Sequence, residues 1–118
     1  MSLNKKLLSL DISLKELKQT KDINNLETKI IQNLEILTDT INSFLQEWES
    51  MTPCNNTVEC IDRFFQEGYL QATDKESIKK MINFIDTNDK TNIYSNLQDY
   101  INAVENIFQT IYFEYRFC

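Results

Sequence analysis

Three cysteines, Cys54, Cys60 and Cys118, carry the greatest intrinsic reactivity in this chain, and no histidine accompanies them. A cysteine nucleophile needs a base to give thiolate, and the usual imidazole partner is missing. Cys54 precedes a helix start, where N-terminal dipoles lower a thiol pKa, so it is the strongest candidate for a reactive thiol; Cys60 reads as a small packed hydrophobe. The odd number of cysteines, the lack of a Cys-x-x-Cys spacing and an N-terminus without the apolar core of a secretory signal point to a reducing, intracellular location, cytoplasmic or nuclear, rather than secretion.

Oxygen ligands are the next resource. Asp86-Thr87-Asn88-Asp89-Lys90 begins like a calcium loop, but Lys90 stands where a ligand is needed, Thr91 replaces the turn glycine and Leu97 occupies the place of the bidentate glutamate. Turn chemistry explains these residues better. Zinc would require all three cysteines plus a carboxylate at spacings unlike structural sites. Paired carboxylates such as Glu47 and Glu49, or Asp86 and Asp89, divide acid and base roles only when burial splits their pKa values, and nothing in the sequence places them in a cleft. A single glycine excludes a phosphate-binding loop. The sequence therefore predicts no catalytic residue, no metal ligand, no cofactor and no small-molecule substrate: the chain reads as a protein that is not an enzyme.

The charge pattern narrows the partners. The net charge is −6, yet residues 1–21 carry Lys5, Lys6, Lys15, Lys18 and Lys21 against Asp11 and Glu16, while residues 22–52 carry six carboxylates against Lys29 alone. An acidic chain with only Arg63 and Arg116 as arginines lacks the cationic footprint that nucleic acid requires. No apolar run approaches the ~18 residues of a membrane span. Usage heavy in Asn, Ile and Lys with only two alanines suggests an AT-rich genome, phage and viral genomes included.

The elements that position these residues are helical. Leu3, Leu7, Leu10, Leu14 and Leu17 recur at steps of four and three, as do Ile30, Leu34, Leu37, Ile41, Phe44, Trp48 and Met51, and Leu97, Ile101, Val104, Phe108, Ile111 and Tyr115. The first and second stripes differ in phase, which places a break near residues 20–24, with Asn24 and Glu27 as a capping box. Thr52-Pro53 ends the second helix. Asn56 and Glu59 open a third, and Gly68 suits the left-handed position after it. Thr73 and Glu76 form a capping box for a fourth, which dissolves into the Asx-rich run at 86–92. At 118 residues and 42% hydrophobic, the chain suits one core. The expected fold is an all-α, single-domain bundle of about five helices over 3–19, 24–50, 57–67, 74–86 and 92–116, the long second and fifth antiparallel. Residues 1–20 form a basic, leucine-striped helix suited to detaching, swapping or docking on a partner. Residues 111–117 alternate Tyr and Phe at period two, so a short strand is the alternative there.

The functional expectation follows from apolar surplus. Ile107, Phe108, Ile111, Tyr112, Phe113 and Tyr115 together exceed a ~100° face, so the last helix either lies at the bundle centre or meets another chain. The chain reads as a non-catalytic protein–protein interaction module, a small helical subunit or adaptor of a homo- or hetero-oligomer. Its anchors are Leu3, Leu7, Leu10 and Leu14 on one surface and Phe108, Tyr112, Tyr115 and Phe117 on the other. The alternative is a small acidic inhibitor from a phage, virus or mobile element, its carboxylates at 22–52 covering a basic groove of a host protein.

Overall fold

Two polar interruptions, one proline and one glycine divide the chain where the sequence predicts, and a fifth break at Asn96 adds a helix. The computed structural model describes residues 2–117, apart from the side chains of Ile23 and Phe117, and folds them into α1 (Leu3–Gln19), α2 (Ile23–Glu49), α3 (Thr57–Gln66), α4 (Ala72–Asp86), α5 (Lys90–Ser95) and α6 (Leu97–Phe117). The described residues contain no strand, and 111–117 continue α6.

Side-chain caps set most of the boundaries. Ser2 accepts the Lys5 N–H at 3.3 Å. Asp22, rather than Asn24, caps α2 by accepting the Asn24 N–H at 3.0 Å, which moves the start one residue upstream. Asn56 caps α3 as predicted, accepting the Glu59 N–H at 2.9 Å, while Glu59 reaches back to the Asn55 N–H at 2.9 Å. The Thr73–Glu76 box does not form: α4 begins at Ala72 after Gln71, which makes no side-chain cap, and Thr73 already lies in the helix. Gly68, with φ +83°, terminates α3, and the Tyr69 N–H bonds the Phe64 carbonyl at 3.1 Å across it. Asn88, with φ +54°, ends α4 in the same way, the Asp89 N–H returning to the Phe84 carbonyl at 2.8 Å. Asp89 then caps α5 through the Asn92 N–H. The Asn96 side chain donates to the Asn92 carbonyl at 2.8 Å and splits the expected fifth helix into α5 and α6.

The relative directions of the helices depart from a plain up-and-down bundle. Along α1 and α2 the contacts run in opposite senses: Lys6 meets Ser43, Ser13 meets Asn33 and Glu16 meets Lys29. Along α2 and α6 they run in the same sense, Asn33 to Tyr100 and Trp48 to Tyr115. The two long helices are therefore parallel where they touch, not antiparallel. Moreover, α2 packs most extensively on α1, and α6 on α4.

The reason lies in residues 50–56. Ser50 takes a left-handed conformation, φ +52°, and the chain climbs back beside α2, so that α3 starts level with Thr38 and descends alongside it: Thr38 bonds Thr57 at 2.7 Å and Phe44 meets Phe64. A returning loop followed by a parallel helix inverts every later direction. The loop is held by the Asn42 side chain accepting the Cys54 N–H at 3.2 Å, by Arg63 donating to the Thr52 carbonyl at 2.5 Å, and by a disulfide between Cys54 and Cys60.

The core is continuous through all six helices, from Leu3, Leu10 and Leu17 through Ile30, Leu37 and Phe44 to Phe64, Ile78, Ile93, Val104 and Ile111. A radius of gyration of 13.6 Å matches the ~13.5 Å expected of one compact unit this long, so the described chain is a single globule. Within it α1 is an integral member. Detaching it would return five leucines to water at about 2 kcal/mol each.

Candidate functional site

The groups with the strongest chemical potential are occupied structurally. Cys54 and Cys60, with Cα atoms 5.5 Å apart, form a disulfide, so Cys54 is a bridge sulfur and not a free thiol. Reading Cys60 as a simple hydrophobe is corrected likewise, although it is fully buried. The odd cysteine count is one of the grounds for expecting a reducing compartment, and the bridge withdraws Cys54 and Cys60 from that count. No helix among the described residues is long and apolar enough to cross a membrane. Cys118 lies outside the described residues.

Two of the four candidate carboxylates, Asp89 and Glu49, are committed to local geometry as well. Asp89 is a cap and Asn88 a turn residue, so the run at 86–90 is helix-joining structure. Glu47 is exposed, while Glu49 accepts a short hydrogen bond from the Tyr69 hydroxyl. That bond, with smaller contributions from burial and from the negative charge of Glu49, Glu114 and Glu67, pushes the Tyr69 pKa up to about 12.

A polar seam crosses the core. Tyr100 on α6 donates to the Asn33 side-chain carbonyl at 2.5 Å, and the Asn33 amide donates to Ser13 on α1 at 3.0 Å. All three residues are buried, and burial raises the Tyr100 pKa far above that of a free phenol. The described residues leave no buried side-chain polar atom without a partner. This seam ties three helices in one register.

An open groove of about 680 Å³ runs between the α3–α4 turn and α6. It is lined by Asp74, Asn106, Gln109, Thr110 and Glu114, and the Asn106 amide donates to Asp74 at 3.1 Å across it.

Surface apolar groups are what remain. The anchors expected on α1, Leu3, Leu7, Leu10 and Leu14, are all buried in the chain's own core. On α6, Tyr100, Val104, Ile107 and Ile111 face inward, Phe108 is partly buried at the edge of the core, and Tyr112 and Arg116 are exposed. Phe108 stacks on Tyr112 at 6.0 Å, the Arg116 guanidinium lies over the Tyr112 ring at 5.5 Å, and Tyr112 is 40% exposed. Tyr115 turns instead toward Trp48, ring centres 5.9 Å apart, and is half-buried. The Phe117 side chain falls outside the described residues. The last helix is thus both a core element and a surface one, on different sides.

The sequence pattern overlooks two residues. Leu8 and Ile12 are 60% and 49% exposed on the outside of α1. The available signal is that neither falls on the leucine stripe and that they stand four apart, which places them together on the opposite face. An ion pair between Lys18 and Glu105 joins the lower edge of α1 to α6. Because α1 opposes α2 and α6 follows α2, α1 and α6 are antiparallel. Ten residues from that ion pair, at about 1.5 Å per residue, Leu8 stands level with the turn that holds Tyr112, Tyr115 and Arg116. Leu8 and Ile12 on α1 and Tyr112 on α6 are each exposed, at similar heights along the two helices.

No protein-family model matches the chain, and comparison with curated proteins and with solved structures yields no significant match.

Proposed function

We propose that this chain is a non-catalytic protein–protein interaction module, a small helical subunit or adaptor that works through the outer side of α1 and the adjoining edge of α6. The carrying observation is the pair Leu8 and Ile12, 60% and 49% exposed on a helix whose apolar needs are already met by five buried leucines. Exposed aliphatic side chains on α1 and an exposed, cation-covered tyrosine on α6 are the kinds of group that form the apolar centre and amphipathic rim of contact surfaces. The contrast with occupied chemical groups supports the same reading: the bridge Cys54–Cys60 and the closed seam Ser13–Asn33–Tyr100 serve the fold.

The test compares the wild-type chain with Leu8→Asp/Ile12→Asp, immobilised and exposed to itself and to extract of the native host. Association that vanishes in the variant, with circular dichroism unchanged, is the expected result. A variant that keeps every association of the wild type contradicts the surface.

A second reading, an acidic inhibitor directed at a basic groove, draws on one observation. Glu27, Glu35 and Asp39 on the outside of α2 form no ion pair among the described residues, and Glu35 and Asp39 are exposed. Binding through these carboxylates weakens steeply with ionic strength, whereas docking through Leu8 and Ile12 changes little, so a salt titration separates the two.

A further inference from the structure

We infer that the outer face of α1 docks on the outer stripe of α2 in a second copy of this chain, in a head-to-tail contact. The inference rests on the interaction-module reading and names the partner. On α1, Leu8 and Ile12 stand between Lys5 and Lys15, both exposed. Lys5 has no ion pair among the described residues, and Lys15 pairs only with its helical neighbour Asp11, at 3.0 Å.

On α2 the arrangement is the same with the opposite sign. Ile31 is 40% exposed, one turn from Glu27 before it and Glu35 after it, and neither glutamate has a cationic partner within the described chain. Lys5 to Lys15 spans about 15 Å of helix and Glu27 to Glu35 about 12 Å, a difference that flexible lysine side chains absorb. An apolar centre framed by lysines thus finds an apolar centre framed by glutamates. Pairing either face with its own copy would set lysine against lysine or glutamate against glutamate, which is repulsive.

One chain cannot satisfy itself. Ser13 and Asn33 mark where α1 and α2 meet, at 3.0 Å. At about 100° per residue, Ile12 and Leu8 lie about 100° and 140° around α1 from Ser13, and Ile31 lies about 160° around α2 from Asn33. Both faces point away from the seam, so the complement of each is on another molecule. Such a heterologous contact repeats into a ring or a filament.

Sedimentation velocity on three purified proteins tests this: the wild-type chain, Leu8→Asp/Ile12→Asp, and Ile31→Asp, each checked by circular dichroism. The wild type is expected to exceed its chain mass of 14.0 kDa increasingly with concentration, and each variant alone to stay at that mass. An equimolar mixture of the two variants is expected to form a complex of two chains and stop there, because only one intact pair of faces remains, α1 of the Ile31→Asp copy on α2 of the other. A wild type that stays at 14.0 kDa up to about 0.5 mM overturns the inference, and so does a mixture that stays at chain mass. Association lost in Leu8→Asp/Ile12→Asp but retained in Ile31→Asp also overturns it, while leaving the α1 surface in use with another occupant. If Leu8→Asp/Ile12→Asp associates as the wild type does, the surface reading fails along with it.

Discussion

The inner and outer faces of α1 are built from the same kind of side chain and do opposite things. Leu3, Leu7, Leu10, Leu14 and Leu17 are buried against α2 and α6, whereas Leu8 and Ile12, off that stripe, are turned to solvent. The period that marks the first set as core also marks the second as surplus to the core. A leucine is thus informative about function here only when it breaks the pattern.

The largest expected effect breaks the inner face. Leu10→Asp buries an unpaired carboxylate in the core and should abolish the cooperative unfolding transition at neutral pH, while Leu10→Ala should lower stability by about 2–5 kcal/mol in denaturant titration. Leu8→Ala should fall within about 0.5 kcal/mol of the wild type in the same assay. Equal losses at positions 8 and 10 would erase the distinction between the two faces.

Next in size is the seam that orients the inner face. Asn33→Leu leaves the Tyr100 hydroxyl and Ser13 without their buried partner and should cost about 2–4 kcal/mol, more than the same change at an exposed asparagine such as Asn102. Opening the Cys54–Cys60 bridge by Cys54→Ser/Cys60→Ser should cost about 2 kcal/mol, with α3 and the returning loop losing hydrogen-exchange protection before α1 does. A smaller effect belongs to alkali. The folded-state pKa of Tyr69 is pushed up to about 12, above the ordinary phenol value, so its contribution is fully present below pH 10 and fades as pH rises toward 12. Tyr100, raised by burial, acts in the same direction. The denaturant midpoint should therefore fall above pH 10, and Tyr69→Phe should flatten part of that fall.

Much of the fold was legible because it depends on local rules. The stripes fixed which faces of α1, α2 and α6 are inward, and Asn56, Gly68 and Pro53 marked the ends of helices through caps and φ restrictions that act within a few residues. The misplaced caps at Asn24 and Thr73 show the limit of such rules: Asp22 offers a carboxylate two residues upstream, and tertiary packing carries α4 past Thr73 without any side-chain cap. The direction of α6 relative to α2 was not legible, because it turns on residues 50–56 climbing back along α2, a non-local choice stabilised by Asn42, Arg63 and the bridge. The same folding-back brings Cys54 to Cys60, a pairing that the spacing alone does not announce.

The candidate surface was half legible. Phe108 and Tyr112 appear as aromatic surplus in the sequence; Tyr112 is exposed on α6, and Phe108, stacked on it, is partly buried against the core. On α1 the stripe drew attention to the leucines that make the core and away from Leu8 and Ile12. Ile31, flanked by Glu27 and Glu35, was hidden similarly by the adjacent stripe residue Ile30, which is fully buried.

The most direct test of the account measures fold and association on the same two proteins. The denaturant midpoints of Leu8→Asp/Ile12→Asp and the wild-type chain are compared at a concentration low enough that neither associates, and their sedimentation masses at a common higher concentration at which the wild type does. The account predicts an unchanged midpoint and a loss of the associated species. A lowered midpoint, or association identical to the wild type, would contradict it.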